Sequence, residues 1–332
     1  MAVTSLRPAY TERDPRVRPV DFWRDGQSVA GLLELCFQHD GIDDSGHRLI
    51  HILRNYGITQ SWMMQGSLGF VWIEDGHVIG NASIQRNATR RDTWIIGNVA
   101  THPDHRGRGI GSAVTEACVQ LAQRRGAKQV ALQVVADNVP AWRMYRTLGF
   151  QPVGEVVHYR RAPVRAAPVA TEYSYRQKPV RPAAWRDRRE IWRLATQNTP
   201  NELTYSEPFD SSLYHLGLRW SLNNSFSGNP EKWWVIDDES GRGGLQGAVR
   251  TRVNFDASAE HHLELMTDDA NDAQTAHDLA CAGLARFEQY ITKPIYAAQS
   301  LHNAAIHTAL QHVGFQPNRH LIHMRYATHT KI

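Results

Sequence analysis

Cysteine is scarce in this chain: Cys36, Cys118 and Cys281 are the three in 332 residues. They are scattered, which excludes a disulfide framework and a thiolate metal site; they read as small buried hydrophobes in a reducing compartment, and no metal is expected. Long apolar runs are lacking too. No stretch approaches the roughly 20 residues of a membrane-spanning helix, so no membrane association is expected. The segment from Met1 to Asp25 is studded with Arg and Pro and holds no apolar signal-peptide core, which leads us to expect a cytoplasmic protein. Basic residues form no long run. A formal charge of +4 suits a small anionic cofactor and is too weak to argue for nucleic acid.

What the chain does contain is concentrated between Asn98 and Ser112. An apolar run, Trp94-Ile95-Ile96, reads as a buried strand, and helical periodicity begins at Ile110 and continues through Ala113, Val114, Ala117 and Leu121. Between them stand Arg106-Gly107-Arg108-Gly109-Ile110-Gly111. The glycines let the backbone approach a ligand, the free N–H groups of the helix's first turn favour an anion, and the arginines suit phosphate oxygens. This is the chemistry of a pyrophosphate cradle. It is not a P-loop, because no lysine precedes Ser112, and its third glycine comes one residue too early for a dinucleotide fingerprint.

Around this stretch the chain alternates strand and helix signals. Val17-Arg18-Pro19-Val20 starts a strand, and Ser28 to Phe37 has helical spacing. Asp75-Gly76 turns a hairpin, and Arg86 to Asp92 a second one. The helix after the cradle ends at Arg124-Arg125-Gly126, Gln129 to Val135 is a buried strand, and Asn138 to Phe150 is a proline-started helix closed by glycine. A strand follows through Val153–Arg160.

With Arg-Gly-x-Gly-x-Gly after a strand, and Asn138-x-x-Ala141-x-x-x-Tyr145-x-x-x-Gly149-Phe150 in the right order, residues 16–162 resemble the GNAT acyltransferases. The resemblance implies an α/β (α+β) fold: a mixed, mostly antiparallel sheet flanked by helices, with two central parallel strands splayed apart. It implies acetyl-CoA as cofactor, held along Val99, Ala100 and Thr101, at Arg106, Gly107, Arg108, Gly109, Ile110, Gly111 and Ser112, and by Asn138. Tyr145 resembles the family's proton donor to the leaving sulfur. The general base is not evident. The family's ribosomal-protein acetylases carry Glu where this chain has Gln133; Asp40, Asp43, Asp44 and His47, or a water ordered by Asn98 or His102, are positional candidates.

Self-comparison reveals a second copy. Gly314-Phe315-Gln316-Pro317 repeats Gly149-Phe150-Gln151-Pro152, with Asn303, His323 and Arg325 at the same offset from Asn138, His158 and Arg160. Val180-Arg181-Pro182 repeats Val17-Arg18-Pro19. The cradle is eroded there: Asn271-Asp272-Ala273-Gln274-Thr275-Ala276 has neither glycine nor arginine, and Leu310 replaces Tyr145. We therefore expect tandem GNAT folds: an arm over 1–16, an active domain over 17–162, a Pro/Ala linker over 163–172 and a degenerate domain over 173–332. The expected function is acetyl transfer to a primary amine, of a small molecule rather than a protein, by a monomer with an internal pseudo-dimer. A thioester-dependent step in thiol or antibiotic metabolism and a non-catalytic acyl-CoA sensor are the rivals.

Overall fold

A computed structural model describes residues 14–37, 68–163, 178–207, 209, 214, 216, 230–238, 243–256 and 259–328. Most of the arm, most of the linker, and Asp40, Asp43, Asp44 and His47 lie outside the described residues. The first half runs β1 (Val17–Pro19), α1 (Phe22–Phe37), β2 (Leu68–Glu74), β3 (His77–Arg86), β4 (Thr93–Thr101), α2 (Ile110–Arg124), β5 (Gln129–Val135), α3 (Val139–Thr147) and β6 (Gln151–Arg161). The second runs β7 (Val180–Pro182), α4 (Arg188–Asn198), β8 (Glu231–Asp237), β9 (Leu245–Arg252), β10 (His261–Thr267), α5 (Ala273–Phe287), β11 (Ile295–Ser300), α6 (Ala304–His312) and β12 (Gln316–Ala327).

All twelve strands join one sheet, in the order β1-β2-β3-β4-β5-β12-β6-β11-β10-β9-β8-β7. Read from either edge the order is the same, copy for copy, about an axis between β12 and β6. The last strand of each half has crossed into the other. β12 pairs antiparallel with the whole of β5, and β6 pairs with both β12 and β11. The parallel pairs are β4 with β5 and β10 with β11, at equivalent places in the two halves. The sequence boundary near residue 163 thus marks a change of copy and no break in the sheet.

Each face of the sheet is covered because its strands alternate. Ile84, Trp94, Val130 and Leu132 pack with Ile110, Val114, Cys118 and Leu121 of α2 and with Tyr145 and Phe150. On the opposite face Val71 and Ala100 meet Val29, Leu32 and Leu33 of α1. The second half repeats this with α5 and α6 on one face and α4 on the other. The described tryptophans of the second half stay with their own half or face solvent: Trp233 and Trp234 pack in its clusters, and Trp185 and Trp192 are exposed.

The Val-Arg-Pro repeat acquires a structural meaning. Arg18 donates two hydrogen bonds to Asp25, at 2.6 and 2.8 Å, and Arg181 does the same to Asp187, at 2.7 and 2.9 Å. Each carboxylate also accepts a backbone N–H at the start of its helix, from Asp21 and Ala184. Burial alone would raise both carboxyl groups, but the guanidinium and N–H donors outweigh it and hold them below the ordinary carboxylate value. A depressed pKa stabilises the fold above the unfolded value, and that contribution is lost as pH falls through the folded one. Asp25→Asn is therefore expected to cost about 3 kcal/mol at neutral pH, since it leaves a guanidinium beside a buried neutral group. Acid titration followed by circular dichroism should show a shallower acid limb in the variant than in the wild type.

Candidate active site

Two features of β4 open a cleft in the sheet. Its parallel pairing with β5 is confined to Thr93–Ile95 against Gln129–Ala131. Beyond this, β5 leans away toward β12. On its other edge β4 carries a bulge: the register with β3 slips between Asn81↔Ala100 and Ser83↔Gly97. At the bulge Asn98 adopts the left-handed φ of 53°, held by the Asn81 side chain, which donates to its carbonyl at 2.8 Å, and by its own amide toward Ser83 Oγ. Asn98 is thereby committed to shaping the strand.

The amide of His102 donates to Ile79 on β3. By the alternation of a strand, the N–H groups of Thr101 and Val99 point to the other edge, into the gap β5 has left. Ala100 is placed differently from its neighbours: its side chain is buried in the α1 cluster and it pairs with Asn81, so its part is packing. His102 is half-buried; its Nδ1 has no hydrogen bond among the described residues and lies 3.8 Å from Asp104 Oδ2, and its ring lies edge-on to His105.

After a single 3-10 turn at Pro103–His105, Gly107 and Gly109 take φ values of 77° and 78°, a region that costs any L-residue strain, with open space where a Cβ would stand. Gly109 is the N-cap of α2, and no side chain caps that helix. The first-turn N–H groups of Ile110, Gly111 and Ser112 are thus offered outward. The three glycines divide into two roles. Gly107 and Gly109 shape the turn, whereas Gly111 is a packing residue whose added Cβ would meet Met144 Sδ at 3.1 Å. Ile110 is buried, its Cγ2 filling the space over Gly80. Arg106 is exposed at the rim, and Arg108 is paired with Glu74 at 2.9 Å and with His105.

These groups fit a coenzyme A pyrophosphate: an uncapped helix start, two open left-handed glycines and two arginines at the rim. The equivalent place in the second half does not. There Asp272 caps α5, accepting from the amide of Thr275 at 3.0 Å, and Lys178 Nζ lies over the helix start on Asp272, Thr275 and Gln246, at 2.7 to 2.9 Å. The chain supplies its own ions where a cofactor would need empty donors.

Asn138 caps α3, its Oδ1 accepting from Ala141 N at 3.2 Å, and its amide nitrogen remains a donor for a ligand. Tyr145 is 5 % exposed and packs edge-on against Phe150, at 5.9 Å between ring centres. Its hydroxyl has no hydrogen-bond partner among the described residues, and burial pushes the phenol pKa well above its ordinary value.

Sequence reasoning missed a polar group on the face of the sheet opposite α2. Gln133 is exposed there, and the exchanged β12 sets His323 in register beside it. His323 is wholly buried; its Nδ1 lies 2.7 Å from Ser206 Oγ and its Nε2 3.4 Å from the Gln133 amide. Burial, with His158 nearby, pushes it down to about 4, so it is neutral at pH 7. The segment carrying Ser206 belongs to the second half and is pinned on the first. The carbonyls of Thr204 and Tyr205 accept from Asn87, and the Tyr205 ring lies against Arg90 and Arg325. The repeat offset that marked His323 was the one available signal, and it did not say which half the residue would serve.

The model of the acetyltransferase (GNAT) family matches residues 28–150. A mycothiol acetyltransferase of Clavibacter sepedonicus is 32% identical over 105 residues, which is 32% of this chain and 34% of that protein. The chain thus spans about a third of that relative's length in the match. Among solved structures, a GCN5-related N-acetyltransferase from Sphaerobacter thermophilus superposes with a TM-score of 0.62 at 14% identity, covering 94% of this chain and 96% of that one. A tandem GNAT protein from the clavulanic acid biosynthesis pathway superposes at 0.57 and 14% identity, over 95% and 99%. The protein has a tandem GNAT fold, and its residues 28–150 match the acetyltransferase (GNAT) family. No described helix is long and apolar enough to cross a membrane.

Proposed function

We propose that the first half transfers an acetyl group from acetyl-CoA to the primary amine of a small molecule, and that the second half holds no coenzyme. The observation that carries this reading is the contrast between the two helix starts: open at Gly109, filled by Lys178 and Asp272 in the other copy. When bound, acetyl-CoA supplies an activated acyl thioester. The α2 amides with Arg106 and Arg108 hold its pyrophosphate, and the free edge at Val99 and Thr101 aligns the pantetheine arm. One of those two N–H groups donates to the acyl oxygen. Tyr145 Oη holds a proton inside a dry site, and the Asn138 amide closes one end. Gln133, oriented by neutral His323, faces the incoming amine. We read the chain as a monomer in the cytoplasm, because the exchanged strands already supply within one chain the pairing that two copies would otherwise share.

Calorimetry tests the first step. One coenzyme A per chain is expected; two comparable sites would contradict the reading. Gly109→Asp forces a side chain into left-handed φ and puts a carboxylate at the cradle, so affinity should fall by roughly a hundredfold or more. Lys178→Ala should create no second site. Gln133, where related acetylases carry a carboxylate, favours the rival reading of an acyl-CoA sensor; thiol release from acetyl-CoA with a panel of primary amines separates the two.

A further inference from the structure

The second half has lost its cradle and kept a cavity. Beyond His261 and His262, which pair with Ile295 and Tyr296, β10 and β11 splay as β4 and β5 do. In the gap, on the α4 face, lies a cavity of about 320 Å³, at the lower end of the roughly 300–1,000 Å³ of small-molecule sites. Since Lys178 and Asp272 fill the helix start beside it, this cavity cannot serve an acyl-CoA.

Its lining is specific. Arg250, with a side chain 8 % exposed, donates to Glu231 at 2.6 and 3.2 Å and to Glu264 at 3.1 Å. One guanidinium is thus shared by two carboxylates; Arg252, in register with Glu231, and Glu207 add one charge of each sign to the surroundings, which leaves the five groups together with one negative charge. Glu264 also accepts the Tyr214 hydroxyl at 2.6 Å, yet its side chain remains 34 % exposed and lines the cavity. Tyr214 stacks on Phe209 at 5.1 Å, and Leu203 and Met266 complete an apolar wall. Arg252 and His262 pair with each other two register positions along from the Arg250–Glu264 pair, which directs a cation to the Tyr214 side of the cavity. In the same lining Ser300 Oγ is buried with no hydrogen-bond partner among the described residues, and Ser300 is 6 % exposed. A buried hydroxyl left unpaired is costly unless something meets it.

We propose that the second half is a coenzyme-free binding site for a small organic amine, its ammonium group on Glu264 beside Tyr214 and its apolar body along Phe209, Leu203 and Met266. The carboxylate supplies the charge-assisted hydrogen bond, and the aromatic pair supplies apolar contact with a negative ring face. Ser300 Oγ is the remaining donor or acceptor for a polar group at the inner end. The inference stands apart from acyl transfer, since it concerns a different half and requires no turnover.

Titration calorimetry on the full chain without coenzyme A tests it, with 2-phenylethylamine as probe and 2-phenylethanol and 3-phenylpropanoate as controls. Saturable binding of the amine is expected, with the alcohol weaker by roughly tenfold or more and the carboxylate not competing. Glu264→Gln should weaken amine binding by a similar factor. Ala298→Phe, which fills the cavity from β11 and leaves the ion pairs intact, should abolish it; this variant decides the matter if loss of the Glu264 charge disturbs folding. No saturable binding by the wild type, equal binding of amine and alcohol, preference for the carboxylate, or unchanged affinity in a folded Ala298→Phe protein would each overturn the proposal. Unchanged affinity would place the amine in the first half instead.

Discussion

A chain ending at Pro163 is expected not to fold as a monomer. Such a truncation keeps the whole GNAT motif set and yet removes the strand that the first half's sheet depends on. All seven residues of β5 pair with β12, and β6 has β12 and β11 as its neighbours. The loss reaches the core as well. Met324 is fully buried in the first half's main cluster, with Ile322 and Tyr326 packed against it, and Tyr326 lies on Phe150 at 5.5 Å. Deleting one buried Met side chain typically costs about 2–5 kcal/mol. Losing a central strand with several such residues exceeds the roughly 5–15 kcal/mol that holds a domain folded. The pseudo-symmetry leaves one escape: β6 of a second truncated copy fits the β12 position. Light scattering with circular dichroism should therefore find aggregate or a strand-exchanged dimer. A cooperative, fully active monomer would refute the account of strand exchange.

Tyr145→Phe should lower kcat by roughly a hundredfold or more, with melting temperature and coenzyme affinity little changed. The substitution keeps the ring on Phe150 and deletes a hydroxyl with no hydrogen-bond partner among the described residues, so packing gives no reason for a loss of stability. What it removes is the proton held at Oη of a largely buried ring. The raised phenol pKa sets the pH dependence. A group whose pKa lies far above its ordinary value stays protonated through the alkaline range in which an exposed tyrosine would ionise. Tyr145 should thus contribute no fall in the wild-type rate between pH 8 and 10, and the alkaline limb should have the same shape in wild type and variant. Unchanged kcat in a folded variant would make Tyr145 a core residue, its partnerless hydroxyl notwithstanding.

Much of the first half was legible in the sequence because its signals are local. Left-handed glycines at Gly107 and Gly109, a helix with no side-chain cap, the Asp75-Gly76 turn and the proline-started α3 are each set by a few adjacent residues. The eroded second cradle was equally plain, since losing every glycine is a statement about composition. Roles that depend on what lies opposite were not legible. Gly111 was read with the ligand-facing glycines, but Met144, 33 positions away, makes it a packing residue. Asn98 and Ala100 belonged to the same stretch as Val99, and a bulge against β3 separates their tasks.

Sequence by itself determined the resemblance, the two copies and which of them kept the glycine-rich stretch, because motif spacing and repeat offset survive in one dimension. Tertiary structure alone decided that the copies exchange their last strands, that Lys178 reaches across to fill the second helix start, and that His323 of one half stands beside Gln133 of the other. The physical reason is the pairing of β-strands. Which strand completes a sheet is settled by long-range backbone hydrogen bonds and shared buried faces, and two repeats with interchangeable last strands carry no local mark of the choice.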